Sequence, residues 1–227
     1  MAEVVVALDM ASLPEASRLL DRLPTARWAK VGSVLFTRSG PAVVQECRSR
    51  GLAVFLDLKW HDIPNTVAGA VRSARDLGVA MATVHTLGGR EMLAAAAEAA
   101  GNDLLIVGVT VLTSHSAESY GEVVGAEVTD LGGTVARLAG LARGAGLAGV
   151  VCSPQELVPV RRAFPGAAAL VVPGIRGSSE AKGDQVRVAS AGDAARSGAT
   201  HLVVGRPILQ AADPGKVLAA LQAEAGG

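Results

Sequence analysis

Aromatic side chains are scarce, with Phe, Trp and Tyr together making up 3% of the 227 residues. A chain so poor in flat rings has little with which to stack bases, which argues against a nucleic acid partner. Net charge is missing too, because 21 Lys and Arg face 21 Asp and Glu. Without a long-range field to gather polyanions or an anionic membrane, any anionic ligand has to be held by a local site. The two cysteines, Cys47 and Cys152, lie far apart without metal-type spacing and are expected as buried thiols in a reducing, cytoplasmic setting. Four histidines form neither HxH nor HExxH, so no metal is expected. No apolar run is long and loop-free enough for a bilayer, and MAEVVVALDM reads as a first strand instead of a signal peptide.

What the chain does have is hydrophobic residues, at 50%, enough for a large core. Eight short apolar runs recur: Val4–Leu8, Ala26–Val31, Leu52–Lys59, Val79–His85, Leu104–Thr110, Leu147–Cys152, Ala169–Val172 and His201–Val204. Between them lie segments rich in Ala, Leu, Arg and Glu, such as Leu13–Leu23, Val67–Leu77 and Glu91–Ala100, which favour helix. Strict alternation of strand and helix implies parallel strands with right-handed crossovers. The turn after the first strand reads LDMASLP and lacks the GxGxxG of a dinucleotide-binding sheet. The expectation is an α/β fold, one (β/α)8 barrel spanning residues 1–227 as a single domain.

Active sites of such barrels lie where strands end and βα loops begin. The polar residues at those ends are Asp9, Lys30, Asp57 with Lys59, His85, Thr110 with Thr113, Cys152 with Ser153, Arg176, and Gly205 with Arg206. The third strand, AVFLDLK, is the most informative. Alternation puts Phe55, Asp57 and Lys59 on one face and the aliphatic Val54, Leu56 and Leu58 on the other. The aliphatic face suits the helices, so the first set points into the barrel. Charges placed there cost several kcal/mol unless they are paired. A simple Asp57–Lys59 ion pair is one reading. The longer string Lys30–Asp57–Lys59–Asp62 is better explained as catalytic machinery.

Asp57–Thr66, DLKWHDIPNT, resembles the D-x-K-x-x-D-I-P-N-T signature of the orotidine 5′-monophosphate decarboxylase family. The likeness continues in register through ALDM (Asp9), KVGSVLF (Lys30), VHTLGG, VTVLTS, GVVCSP, PGIR (Arg176), GDQ (Gln185) and VVGRPI (Arg206). Trp60 is a departure, as is Ala189-Ser190-Ala191 where Thr-Pro is common; Ser190 can still cap the helix that follows. The resemblance implies a homodimeric barrel that converts orotidine 5′-monophosphate to UMP and carbon dioxide without a cofactor, the last step of de novo UMP synthesis. It implies Lys59 as the acid, positioned by Asp57 and Asp62, with Asp62, Ile63 and Thr66 reaching the neighbouring subunit's site. Asp9 and Lys30 would meet ribose hydroxyls, Thr113 (less clearly Ser114) the pyrimidine edge, and Gln185 the phosphate or base. Arg176 and Gly205-Arg206 would grip the phosphate after strands seven and eight, where barrels often bind it. His85 and His61 are expected to be structural. Two rivals remain on this reading: a magnesium-dependent sugar-phosphate enzyme sharing D-x-K-x-x-D, and a non-catalytic phosphate-binding barrel.

Overall fold

A computed structural model describes residues 1–175 and 189–226. Eight parallel strands close into a barrel in chain order: β1 (Glu3–Ala7), β2 (Trp28–Gly32), β3 (Ala53–Trp60), β4 (Met81–His85), β5 (Leu105–Val109), β6 (Gly149–Val151), β7 (Ala169–Val172) and β8 (His201–Val204). Closure is made by β8 against β1, with Glu3 opposite His201 and Val6 opposite Val204. The eight expected strands all form.

Side-chain alternation divides the apolar residues into two bodies. Val5, Ala7, Phe55, Met81, Val107, Ala169, Val171 and Val203 fill the barrel interior. Val4, Val6, Val54 and Leu56 face outward into the larger shell between strands and helices. Phe55 is 1% exposed, and burying one such side chain is worth about 1.5–3 kcal/mol. The N-terminal end of the barrel is plugged by Trp28 and His201, whose rings meet edge to face at 4.9 Å.

The helices start where local chemistry lets them. Ser12 caps Leu13–Asp21 by accepting from the Glu15 amide, and Ala16 and Leu20, four apart, are buried. Ser190 does the same for Ala191–Arg196, accepting from the Asp193 amide. Pro64 opens Pro64–Asp76, where its missing N–H and fixed φ cost nothing. Gly149 is required by close approach, because a Cβ there would stand 1.7 Å from the Ala169 carbonyl oxygen on β7.

Among the described residues three α-helices go beyond the sequence expectation: Ser33–Ser39, Ala117–Val124 and Arg206–Leu209. The second begins with a reciprocal cap between Ser116 and Ser119, a serine pair where the usual signature has Glu or Gln. Among the described residues no helix is long and apolar enough to cross a membrane.

Candidate active site

At the C-terminal ends of the strands a cavity of about 440 Å³ opens, a size suited to a small-molecule ligand. Its apolar walls include Val109, Val151, Val171 and Val203, and its polar side includes Asp9, Lys30, Asp57, Lys59, Thr113 and Arg206.

Four charges alternate across the first three strands. The Lys30 Nζ lies 2.9 Å from Asp9 Oδ1 and 3.6 Å from Asp57 Oδ2. The other Asp57 oxygen, Oδ1, lies 2.8 Å from Lys59 Nζ. Side-chain exposure falls from 55% at Asp9 to 11% at Lys30 and 13% at Asp57, then rises to 40% at Lys59. Asp57 is thus a largely covered anion clamped between two ammoniums, which offsets the desolvation a lone charge would suffer. Lys59 keeps its tip open to the cavity. Gly32 leaves room for this arrangement, since a Cβ there would meet Lys30 Nζ at 3.1 Å.

Lys59 has an unusual backbone. Among the described residues it is the only non-glycine with positive φ, at 53°. A residue with a Cβ pays about 1–2 kcal/mol for that region, so surrounding contacts must hold it there. The pairing of β3 with β4 slips at this point. Leu56 lies opposite Ala82, but the next pair is Trp60 with Val84, so β3 spends four residues where β4 spends two. The regular alternation expected of AVFLDLK therefore ends in a bulge, and bulges re-aim side chains beside active sites.

Among the described residues Asp62 makes no ion pair. It is exposed, and its Oδ1 accepts the Ile63 amide at 2.6 Å. The run of alternating charge within one chain is therefore Asp9–Lys30–Asp57–Lys59: Asp9 joins it at the Lys30 end, and Asp62 does not extend it at the Lys59 end. Ile63 is 67% exposed, and Thr66 is exposed on the first turn of Pro64–Asp76. Thr113 lines the cavity, and Ser114 does not. Gly205 and Arg206 line it from the end of β8, with Gly205 capping the short helix that Arg206 opens. Arg176 and Gln185 lie outside the described residues.

His85 closes β4 beside the charges. Burial holds its pKa below the ordinary histidine value, helped by the nearby charges of His61 and Lys59. Its Nδ1 accepts the Leu87 amide at 3.3 Å, and its ring stacks on His61 at 5.6 Å. Both histidines are engaged in holding the loop. Gln210 was not anticipated. It lines the cavity and follows Arg206 by four residues, a spacing that puts both on one helical face. Among the described residues no three His, Cys, Asp or Glu side chains converge as a metal site would. A divalent cation at Asp57 would have to displace an ammonium.

Residues 2–221 match the model of the Orotidine 5′-phosphate decarboxylase / HUMPS family. The chain belongs to this family. It is 50% identical to the orotidine 5′-phosphate decarboxylase of Halorhodospira halophila, covering 97% of this chain and 94% of that one. It is 45% identical to the enzyme of the same name from Pseudomonas aeruginosa, covering 98% and 97%. The crystal structure of orotidine 5′-phosphate decarboxylase from Lactobacillus acidophilus superposes with a TM-score of 0.88 at 32% identity, covering both chains fully. All three of these relatives carry the name orotidine 5′-phosphate decarboxylase.

Proposed function

We propose that this protein decarboxylates orotidine 5′-monophosphate to UMP and carbon dioxide, completing UMP synthesis in the cytoplasm. The observation that carries the reading is the Asp9–Lys30–Asp57–Lys59 array, ending in an ammonium open to a cavity of nucleotide size.

Loss of the carboxylate from C6 leaves an electron pair in the ring plane, where the π system cannot take it up. The protein must stabilise a localised anion by charge and then protonate it. Lys59 serves both needs, as a cation facing C6 and as the proton donor. Asp57 holds that ammonium at 2.8 Å and meets the substrate carboxylate with like charge, a repulsion that ends when carbon dioxide leaves. One charge pair at 4 Å is worth about 4 kcal/mol at an effective dielectric near 20, or roughly three powers of ten in rate. The remainder has to come from binding the rest of the nucleotide. Gly205 and Arg206 suit the phosphate, joined in the family pattern by Arg176 and Gln185. Asp9 and Lys30 suit the ribose, and Thr113 the pyrimidine edge.

The working unit in this proposal is a homodimer. Ile63, Val34, Leu87 and Leu112 are exposed apolar residues in the segments that directly follow the neighbouring strands β2 to β5, a setting that favours burial against a second copy. Asp62, Ile63 and Thr66 would then complete the partner's site, with Asp62 adding the second carboxylate beside Lys59.

The test is the fall in ultraviolet absorbance when the protein meets orotidine monophosphate, run with and without EDTA. Turnover unaffected by chelation supports the proposal. Absence of turnover rejects it, and turnover lost on chelation moves the chain to the metal-dependent branch.

A further inference from the structure

Thr83 takes no part in the wall of the cavity, yet it connects to the array from below. It is the middle residue of β4 and is 0% exposed. Its Oγ1 accepts the backbone N–H of Lys59 at 2.8 Å and donates to Asp57 Oδ1 at 3.1 Å. The same carboxylate oxygen receives Lys59 Nζ at 2.8 Å. The direction of each bond is fixed by chemistry: an amide only donates, an ionised carboxylate only accepts, and a hydroxyl does both. The three bonds form a closed circuit that leaves Lys59 through its amide and returns through its ammonium.

The circuit sits in the gap where β3 slips past β4. There the left-handed turn at Lys59 takes its amide out of the sheet ladder, and the Thr83 hydroxyl replaces the ladder partner. We propose that Thr83 is a positioning residue. Its hydroxyl locks the backbone of Lys59 to the carboxylate that aims the ammonium, so that Lys59 Nζ is set in place before substrate arrives. This rests on the decarboxylase reading above and deepens it. Thr83 touches no reacting atom; it acts through Lys59 and Asp57.

Two near-isosteric variants separate the hydroxyl from the volume of the side chain. Thr83→Val keeps the shape and removes the bonds, leaving a buried amide unsatisfied. Thr83→Ser keeps the bonds and drops a methyl, and Thr83→Ala is the second deletion should valine prevent folding. A misplacement near 1 Å at a reacting group costs on the order of 100-fold, so kcat should fall about that far in the valine or alanine variant. The phosphate grip lies across the barrel, so KM should stay within about threefold. The serine variant should keep kcat within about threefold of the parent, since it retains the hydroxyl. An unchanged kcat in the valine variant, or an equal loss in serine and valine, overturns the proposal.

Crystal structures of the same variants give a readout that does not need activity. Lys59 should leave the left-handed region, and its Nζ should leave Asp57, in the valine variant but not in the serine one. An unmoved Lys59 in the valine variant overturns the proposal even if the parent chain fails to turn over orotidine monophosphate. That second failure would reject the assigned reaction alone.

Discussion

Lys59→Ala and Lys59→Gly remove the same ammonium, but they differ in how they tolerate a φ of 53°. Alanine carries a Cβ into the left-handed region at a cost of about 1–2 kcal/mol. Glycine avoids that cost but loses about 0.4–1 kcal/mol through the greater freedom of its unfolded chain. The difference leaves the glycine variant more stable by about 0.5–1 kcal/mol, whereas at an ordinary strand position alanine would win by a similar margin. In a domain of this size that corresponds to a melting point about 1–4 °C higher for glycine. Activity should fail in both. The charge lost is worth roughly 10³ in rate and the proton donor about 10²–10⁴, so at least about 10⁵-fold is expected to vanish. Urea unfolding followed by circular dichroism measures the first effect, and absorbance kinetics measure the second. An alanine variant as stable as the glycine one would refute the strained-backbone argument. Turnover within about 100-fold of the parent would reject Lys59 as the acid, because the general-acid contribution alone reaches that size.

Arg206→Ala should raise KM and also lower kcat, since phosphate binding energy is used at the reacting centre; unchanged steady-state kinetics would mean that the phosphate lies elsewhere. Gly149→Ala drives a Cβ to 1.7 Å from the Ala169 carbonyl oxygen, and because the obstacle is backbone the loss should reach the upper part of the about 1–3 kcal/mol range for overpacking, read by urea denaturation. Burial depresses the pKa of both His85 and His201, with Glu3 partly opposing this at His201. The folded state therefore binds fewer protons than the unfolded state below the ordinary value near 6.5. Stability from these groups is complete above about pH 6.5 and is lost as pH falls through their lowered folded values. His201→Gln should flatten that slope between neutral and mildly acidic pH, and an unaltered slope would remove His201 from the account.

The barrel was legible because its signal repeats. Eight short apolar runs, separated by helix-favouring segments, have the length and composition of buried parallel strands, and all eight formed. The inward direction of Phe55 and Asp57 followed from alternation along β3, whereas Lys59 reaches the cavity from the bulge where that alternation ends. The left-handed turn at Lys59 could not be read, because nothing in AVFLDLK marks a bulge; the slip shows only in the pairing with β4, where the Thr83 hydroxyl accepts the Lys59 amide. Thr83 itself lies two residues before His85 and so shares its face, but a threonine in an apolar run looks like an ordinary strand former. The placing of Asp9 in the charge chain depends on the register of β1 beside β2, a matter of strand pairing and not of local sequence. Gln210 gave no signal of its own; its place by the cavity emerged only once Arg206–Leu209 was known to be a helix that Gln210 ends.

The most direct test of the central claim is a crystal structure with a non-reacting analogue of orotidine monophosphate bound. Lys59 Nζ should lie about 3–3.5 Å from C6, the separation expected of groups poised to react, while still touching Asp57. An ammonium turned away from C6, toward the ribose or into solvent, would contradict the account.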